Sequence, residues 1–305
     1  MSAQFCKKEQ TTKEKVAMAS MYHVRSNSFP SASHPSSIRI EEELSKMRTW
    51  EATSTSTSQS IATGLSFLED LFICLEDLLN MASAQKVISN HQGEKCMEEL
   101  LDGSVRVLDI CGITRNTISQ VKENVQALHS ALRRRKGDSS IEKSVAEYNL
   151  FTRKMKKSAK KLISSLKQME SKFGASPMLN QDQDAVIRVI REVITMNMSI
   201  FQTLLSYLAV PASKAKPTKW LMVAKLMQKR VISCEENSQN FNELQCVEGS
   251  LSTLLSEGTN VLKMQAVREG LEALENAIEN IENGLERMFR RLVRTRANLL
   301  NIITP

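Results

Sequence analysis

Glycine, proline and aromatic residues are scarce in this chain of 305 residues. It contains 10 glycines and 6 prolines, and Phe, Trp and Tyr together make up 5% of it. β-Sandwiches need many turns and α/β enzymes commonly need Gly-rich loops, so the composition argues against both classes. A chain of this length buries roughly 75% of the surface that its unfolded form exposes, so its core needs no disulfide or metal. The composition favours helices.

The sequence also lacks the residue spacings that are typical of metal and catalytic sites. Its four histidines, at positions 23, 34, 91 and 129, include no i, i+4 pair and join no Cys/His cluster. Gly-rich phosphate loops and nucleophile motifs are absent as well. We therefore predict no cofactor, no metal site, no catalytic residue and no enzymatic activity.

Cysteine pairs with disulfide or zinc spacing are missing too. The six cysteines, at positions 6, 74, 96, 111, 234 and 246, contain no C-x-x-C pair. Several of them lie on apolar helix stripes. We predict that they are reduced, small core residues of a cytosolic or nuclear protein.

No apolar run is long enough for a secretory signal or a convincing membrane span. The first 20 residues are polar and charged and have no structural pattern, which makes Met21 an alternative start. The one long uncharged stretch, residues 193–210, contains six polar side chains and is better interpreted as a helix buried in a bundle. We predict a cytoplasmic protein that is not secreted. Peripheral membrane attachment is an alternative, and a nuclear location is less favoured.

What the sequence does contain is apolar residues at alternating steps of three and four, the spacing of amphipathic helices. Thr152 fills the single gap in the third of four stripes. The stripes consist of Ile61, Leu65, Leu68, Phe72, Leu75 and Leu79; of Met97, Leu101, Leu108, Cys111, Ile118, Val121, Val125, Leu128 and Leu132; of Ile141, Val145, Tyr148, Met155, Ala159, Leu162, Leu166, Met169 and Phe173; and of Met264, Val267, Leu271, Leu274, Ile278, Ile281, Leu285, Met288 and Leu292.

These stripes predict an all-α fold, a bundle of long, mostly antiparallel helices with a disordered N-terminal tail. Short connections favour packing within one chain over a coiled coil between chains. We place the tail at 1–37 and the helical domain at 38–305, with the first helix beginning near Ile38.

Turn-forming residues predict where several helices end. A Ser/Thr-rich loop covers 53–60, and Gly174 with Pro177 ends the third striped helix. The central apolar helix is expected at 182–210, ahead of two prolines. A further helix is expected from about residue 220 to 255, with a kink at Gly249.

Basic residues concentrate between positions 130 and 173, where thirteen Lys and Arg face four Asp and Glu. A solvated helix face explains such a run as well as a binding role does. Among the binding roles, attraction to an anionic membrane is the first interpretation. Nuclear import or nucleic-acid binding is weaker, because no aromatic residues alternate with the basic ones. The residues assigned to this basic surface are Arg133, Arg134, Arg135, Lys136, Lys154, Lys157 and Lys161.

The last helix has acidic residues first and basic residues last. Six glutamates lie between 269 and 286, and Arg287 and four more arginines follow up to 296. This order complements the helix dipole, and it also suits antiparallel pairing with a copy of the helix or with another helix. We interpret the glutamates as a solvated face, not as catalytic carboxylates.

A short motif precedes the first predicted helix. Arg25, Ser26, Asn27, Ser28, Phe29 and Pro30 have the order Arg-Ser-x-Ser-x-Pro, which resembles the phosphoserine motif bound by 14-3-3 proteins. A phosphate on Ser28 adds about −1.5 to −2 charges, which an arginine cluster of a partner can hold. The simpler interpretation is a polar leader that keeps the helix from starting early.

Three segments together resemble the plant-specific BYPASS-like family: HVRSNSFPSASHPSS at 23–37, WLMVAKLMQKRVISCEEN at 220–237 and GLERMFRRLVRTRANLLNI at 284–302. The resemblance extends from about Met21 to the C-terminus. It implies a helical plant protein without known enzymatic activity that is associated with root and shoot development. The family offers no catalytic or ligand-binding residues to transfer.

We therefore expect a non-enzymatic regulatory or adaptor protein that acts in plant development through protein partners, 14-3-3 proteins among them. The alternative is a peripheral membrane protein that binds anionic lipid through the basic surface, with a role in trafficking.

Overall fold

The computed structural model describes residues 35–134, 138–174, 185–210, 242–257 and 260–304. All the regular secondary structure in these ranges is α-helical. The eight helices are α1 (Pro35–Thr53), α2 (Ser58–Leu79), α3 (Ala82–Asn90), α4 (Lys95–Arg133), α5 (Asp138–Gly174), α6 (Ala185–Ala209), α7 (Glu243–Glu257) and α8 (Val261–Ile303). The predicted all-α bundle is confirmed.

Four helices form the centre of the bundle. Both α2 and α4 pack against α6 and against α8, so α6 and α8 lie at opposite corners of a square. The other helices cover this square: α1 lies on α2 and α6, α5 lies on α4 and α6, and α7 lies on α8.

Contacts between side chains fix the directions of the helices. Along α4 and α8 the pairs Lys122–Glu282 and His129–Glu275 run in opposite senses, so these helices are antiparallel. Along α2 and α8 the pairs Glu69–Arg287 and Glu76–Arg291 advance together, so these helices are parallel. The bundle therefore contains both antiparallel and parallel neighbours.

Most helix ends lie close to their predicted positions. Helix α1 begins at Pro35, three residues before Ile38, because proline is tolerated in a first helical turn, whose N–H groups have no partner within the helix. Thr57 caps α2 by accepting a hydrogen bond from the Ser60 N–H. Residues 220–241 of one predicted helix lie outside the described ranges, and α7 continues through Gly249.

The apolar stripes form one core. All six predicted residues of α2 are buried, as are eight of the nine in α8, with Met264 half-buried. On α4 the prediction is less accurate, because Leu101 and Leu108 are half-buried while Leu100 and Val107 are buried. Since α4 contacts both α6 and α8, its buried face is wider than one stripe.

Three of the cysteines are buried as predicted. Cys74, Cys96 and Cys111 have at most 3% of their surface exposed, whereas Cys246 is exposed, so the core interpretation does not hold for it. Burial raises the pKa of the Cys111 thiol to about 12, because the apolar surroundings disfavour the thiolate. Cys111 is therefore a packing residue with an unreactive thiol.

The uncharged segment at 193–210 packs inside the bundle. Asn197 is 1% exposed and donates a hydrogen bond from Nδ2 to the Val193 carbonyl oxygen at 2.7 Å. Asn197 and Thr295 are among the residues that line a cavity of about 30 Å³ between the four central helices, which is room for one or two water molecules. None of the described helices combines the length and apolarity needed to cross a membrane.

Two glycines provide a matched test of this packing. A Cβ at Gly64 would lie 2.5 Å from the Trp50 ring, and that ring is held by a 2.8 Å hydrogen bond from its Nε1 to the Ser60 carbonyl oxygen. We expect Gly64→Ala to destabilise the protein by about 1–3 kcal/mol. A Cβ at Gly112 meets nothing within 4 Å, so Gly112→Ala should stabilise by up to about 1 kcal/mol. Chemical denaturation measures both, and equal effects would contradict the packing of α1 on α2.

Candidate interaction surface

The basic side chains of α5 form an exposed face. Lys154, Lys157 and Lys161 are exposed, and so are Arg153, Lys160 and Lys167 on the same helix. None of these six cations has an acidic partner within 4.0 Å among the described residues. We call Lys154, Lys157 and Lys161 the α5 basic face.

The remaining basic residue of this segment points inward. Lys156 is only 17% exposed, and its Nζ lies 2.7 Å from a carboxylate oxygen of Glu248 on α7. Helix α5 thus holds α7 with one lysine and leaves the six cations named above in solvent. The sequence run RKMKKSAKK therefore contains one structural lysine among surface lysines.

The RRRK segment lies away from this face. Arg133 and Arg134 are exposed at the end of α4, and the Arg134 Nε donates to the Ser130 carbonyl oxygen at 3.2 Å. Arg135 and Lys136 fall outside the described residues. Lys154 follows the first residue of α5 by 16 positions, about 24 Å along a helix axis. The structure separates the predicted basic surface into an end patch, Arg133 and Arg134, and the α5 basic face.

Exposed apolar residues lie at the same end of the bundle as the end patch. The Arg268 guanidinium donates to the Leu132 carbonyl oxygen at 3.1 Å, which places the first turns of α8 next to the end of α4. At this end Val261 is 75% exposed and Leu262 is 74% exposed. We call Val261 and Leu262 the apolar tip.

Two open clefts lie along α5. The cleft between α5 and α7 has a volume of about 260 Å³, and Arg153, Lys156 and Glu248 contribute its charges. The cleft between α4 and α5 measures about 290 Å³ and is lined by Glu147, Tyr148 and Arg134 among others. Burial raises the pKa of the Tyr148 hydroxyl, which favours its neutral form. Both clefts are lined by hydroxyl and charged side chains, which can hold a charged group.

Of the six glutamates of α8, Glu269, Glu272 and Glu279 are exposed, as the solvated-face interpretation predicted, and the other three are half-buried. Glu275, Glu282 and Glu286 pair across the helix contact with His129, Lys122 and Arg115 of α4. The hydrogen bond from Lys122 to the Glu282 carboxylate raises the pKa of the Lys122 amine. Positions 115, 122 and 129 are spaced by seven, and this repeat on α4 is the signal that could have revealed the pairing.

The predicted phosphoserine motif at Arg25, Ser26, Ser28 and Pro30 lies outside the described residues.

One comparison with known proteins gave a match. The family model described as Protein BPS1 matches residues 64–302, from α2 to the last turn of α8. This match is consistent with the BYPASS-like resemblance and includes its segments at 220–237 and 284–302. The segment at 23–37 lies before the matched region. No curated protein and no solved structure matched the chain.

Proposed function

The chain belongs to the Protein BPS1 family, and from this premise we propose that it is a non-enzymatic regulatory or adaptor protein acting in root and shoot development through protein partners. Membership in the family points to a role in plant development. The adaptor mechanism is our proposal, and it rests on the surface of α5.

The observation that carries the proposal is the contrast between paired and unpaired cations. Basic residues at the contacts of α4, α7 and α8 have acidic partners, as in Lys122–Glu282, Lys156–Glu248 and Arg291–Glu76. The α5 basic face has no such partner within the described part of the chain. Its charges therefore do not serve the packing of the bundle.

Keeping these cations together opposes folding. Lys157 and Lys161 are four residues apart, and Lys154 and Lys157 are three apart, so they are neighbours on one helix surface. Like charges at these spacings destabilise a helix by roughly 0.2–0.5 kcal/mol per pair. A bound acidic surface offsets this repulsion, so we assign the face to an acidic protein partner.

The non-enzymatic part of the proposal is supported by the reactive side chains, because they take part in helix contacts or in the core. His129 is engaged with Glu275, and Cys74 and Cys111 are core residues. The Ser144 and Thr152 hydroxyls that line the clefts along α5 donate to backbone carbonyl oxygens of their own helix.

A second candidate function, binding to an anionic membrane, is favoured by a different observation. The apolar tip lies at the same end of the bundle as Arg133 and Arg134. Exposed apolar side chains with adjacent cations suit the boundary between anionic headgroups and acyl chains. In this candidate the tip inserts and the arginines contact headgroups.

Charge reversal of the α5 basic face tests the adaptor proposal. We expect the variant Lys154→Glu, Lys157→Glu, Lys161→Glu to fold, because exposed substitutions usually change stability by less than about 0.5 kcal/mol each. Proximity labelling in plant cells should then recover fewer partners than with the wild type. A control with the same charge change at exposed cations outside this face, Lys86→Glu, Lys143→Glu, Arg188→Glu, should retain them. Identical labelling by both variants would contradict the assignment.

Co-sedimentation with anionic liposomes separates the two candidates. If the wild type does not sediment with such liposomes at low salt, the membrane candidate is wrong. If it does, and Val261→Ser with Leu262→Ser abolishes sedimentation, the membrane candidate replaces the adaptor proposal.

The motif ahead of α1 gives a separate prediction about one partner class. A peptide of residues 21–36 phosphorylated on Ser28 should bind a 14-3-3 protein with micromolar or tighter affinity, because the phosphate supplies charge for an arginine cluster. The unmodified peptide should not bind. Fluorescence polarisation measures both, and equal binding by the two forms, or none by the phosphopeptide, would remove 14-3-3 proteins from the proposed partners.

A further inference from the structure

The turn between α3 and α4 brings together three side chains that the sequence analysis left apart. His91 follows the last residue of α3, Glu94 precedes the first residue of α4, and Cys96 is the second residue of α4. Gly93 has a φ of 76°, a conformation that glycine adopts without strain. The Glu94 N–H donates to the His91 carbonyl oxygen at 3.0 Å, which closes the turn.

The donor atoms of these side chains lie close together. His91 Nδ1 is 2.7 Å from Glu94 Oε2, and Cys96 Sγ is 3.6 Å from the same oxygen. All three donor atoms lie within 4.8 Å of one another. Cys96 is 3% exposed, whereas Glu94 reaches solvent. The cluster is therefore buried at its cysteine and accessible to solvent at its carboxylate.

These separations are near those of a tetrahedral zinc site. Zinc binds nitrogen and oxygen at about 2.0–2.2 Å and sulfur at about 2.3 Å, so ligand atoms are separated by roughly 3.3–3.7 Å. The side chains at the turn reach this arrangement by shifts on the order of 1 Å. Imidazole, thiolate and carboxylate together suit a borderline-soft ion such as Zn²⁺ better than Mg²⁺ or Ca²⁺.

The charges of the site also suit a divalent cation. A thiolate and a carboxylate together neutralise two positive charges, and the neutral imidazole completes three ligands. Glu94 lies at the start of α4, where the positive end of the helix dipole favours a carboxylate.

We propose that His91, Glu94 and Cys96 bind one Zn²⁺ ion and leave its fourth position to water or an external ligand. The ion would fasten α3 to α4 at the end of the bundle where α8 also finishes, since the Ser89 hydroxyl donates to the Ile302 carbonyl oxygen at 3.2 Å. The spacing His-x-x-Glu-x-Cys contains one histidine and one cysteine, so it does not match the repeated Cys or His pairs by which metal sites are recognised in a sequence.

Cobalt titration of the full chain tests the site. The protein is prepared reduced, metal-free and without a histidine tag, and it carries Cys6→Ser, Cys234→Ser and Cys246→Ser to remove competing thiols. We expect one Co²⁺ per chain, with a thiolate-to-cobalt charge-transfer band and the intense visible bands of tetrahedral cobalt, and we expect Zn²⁺ to displace it. Saturating Zn²⁺ should also raise Tm, because a ligand that binds only the native state stabilises it.

Single variants in this background assign the ligands. Cys96→Ser should abolish the charge-transfer band, and His91→Ala should weaken binding by at least the roughly tenfold that loss of a supporting group costs. His129→Ala removes a histidine outside the cluster and should leave binding unchanged. Circular dichroism checks that each variant is folded. Absence of the band in the parent protein, its survival in Cys96→Ser, or undiminished affinity in His91→Ala would each overturn the proposal.

Discussion

The packing of α8 between α2 and α4 is the contact on which the bundle depends. Helix α8 spans 43 residues, and its apolar stripe is covered by α2 on one side and by α4 on the other. Leu274, Ile278 and Leu285 are each 0% exposed. A stripe of this length must be buried along its whole course, so α2 and α4 are fixed beside it and α6 closes the square from the opposite corner.

Charged pairs set the register of these contacts. The order of acid before base along α8 places Glu282 opposite Lys122 of α4 and Arg291 opposite Glu76 of α2. These side chains are half-buried or buried, so the solvation that the charges lose offsets much of their attraction, and we assign the pairs to alignment more than to stability. Because α8 and α7 use their charges for contacts within the bundle, the unpaired α5 basic face differs from them. That difference is the physical basis of the proposed partner surface.

The sequence allowed the core to be predicted but not the contacts between polar side chains. The stripe of α8 follows from spacing alone, since burial repeats with the helix period. The pairing of Glu282 with Lys122 depends on which helices are neighbours, and periodicity does not determine that. The turn of His91, Glu94 and Cys96 depends on the positive φ of Gly93. The division of the basic segment was also unpredictable, because only the position of α7 shows that Lys156 is a structural residue.

Truncation of the α8 stripe tests the central role of this helix most directly. Ile278→Ala should lower the free energy of unfolding by about 2–5 kcal/mol, because it leaves a cavity between α2 and α4. Val293 on the same helix is 44% exposed, so Val293→Ala should change the free energy of unfolding by less than about 0.5 kcal/mol. Urea denaturation followed by circular dichroism measures both. Extrapolated free energies of unfolding carry an error of roughly 10–15%. A loss below about 0.5 kcal/mol for Ile278→Ala as well would mean that α8 does not hold the bundle together.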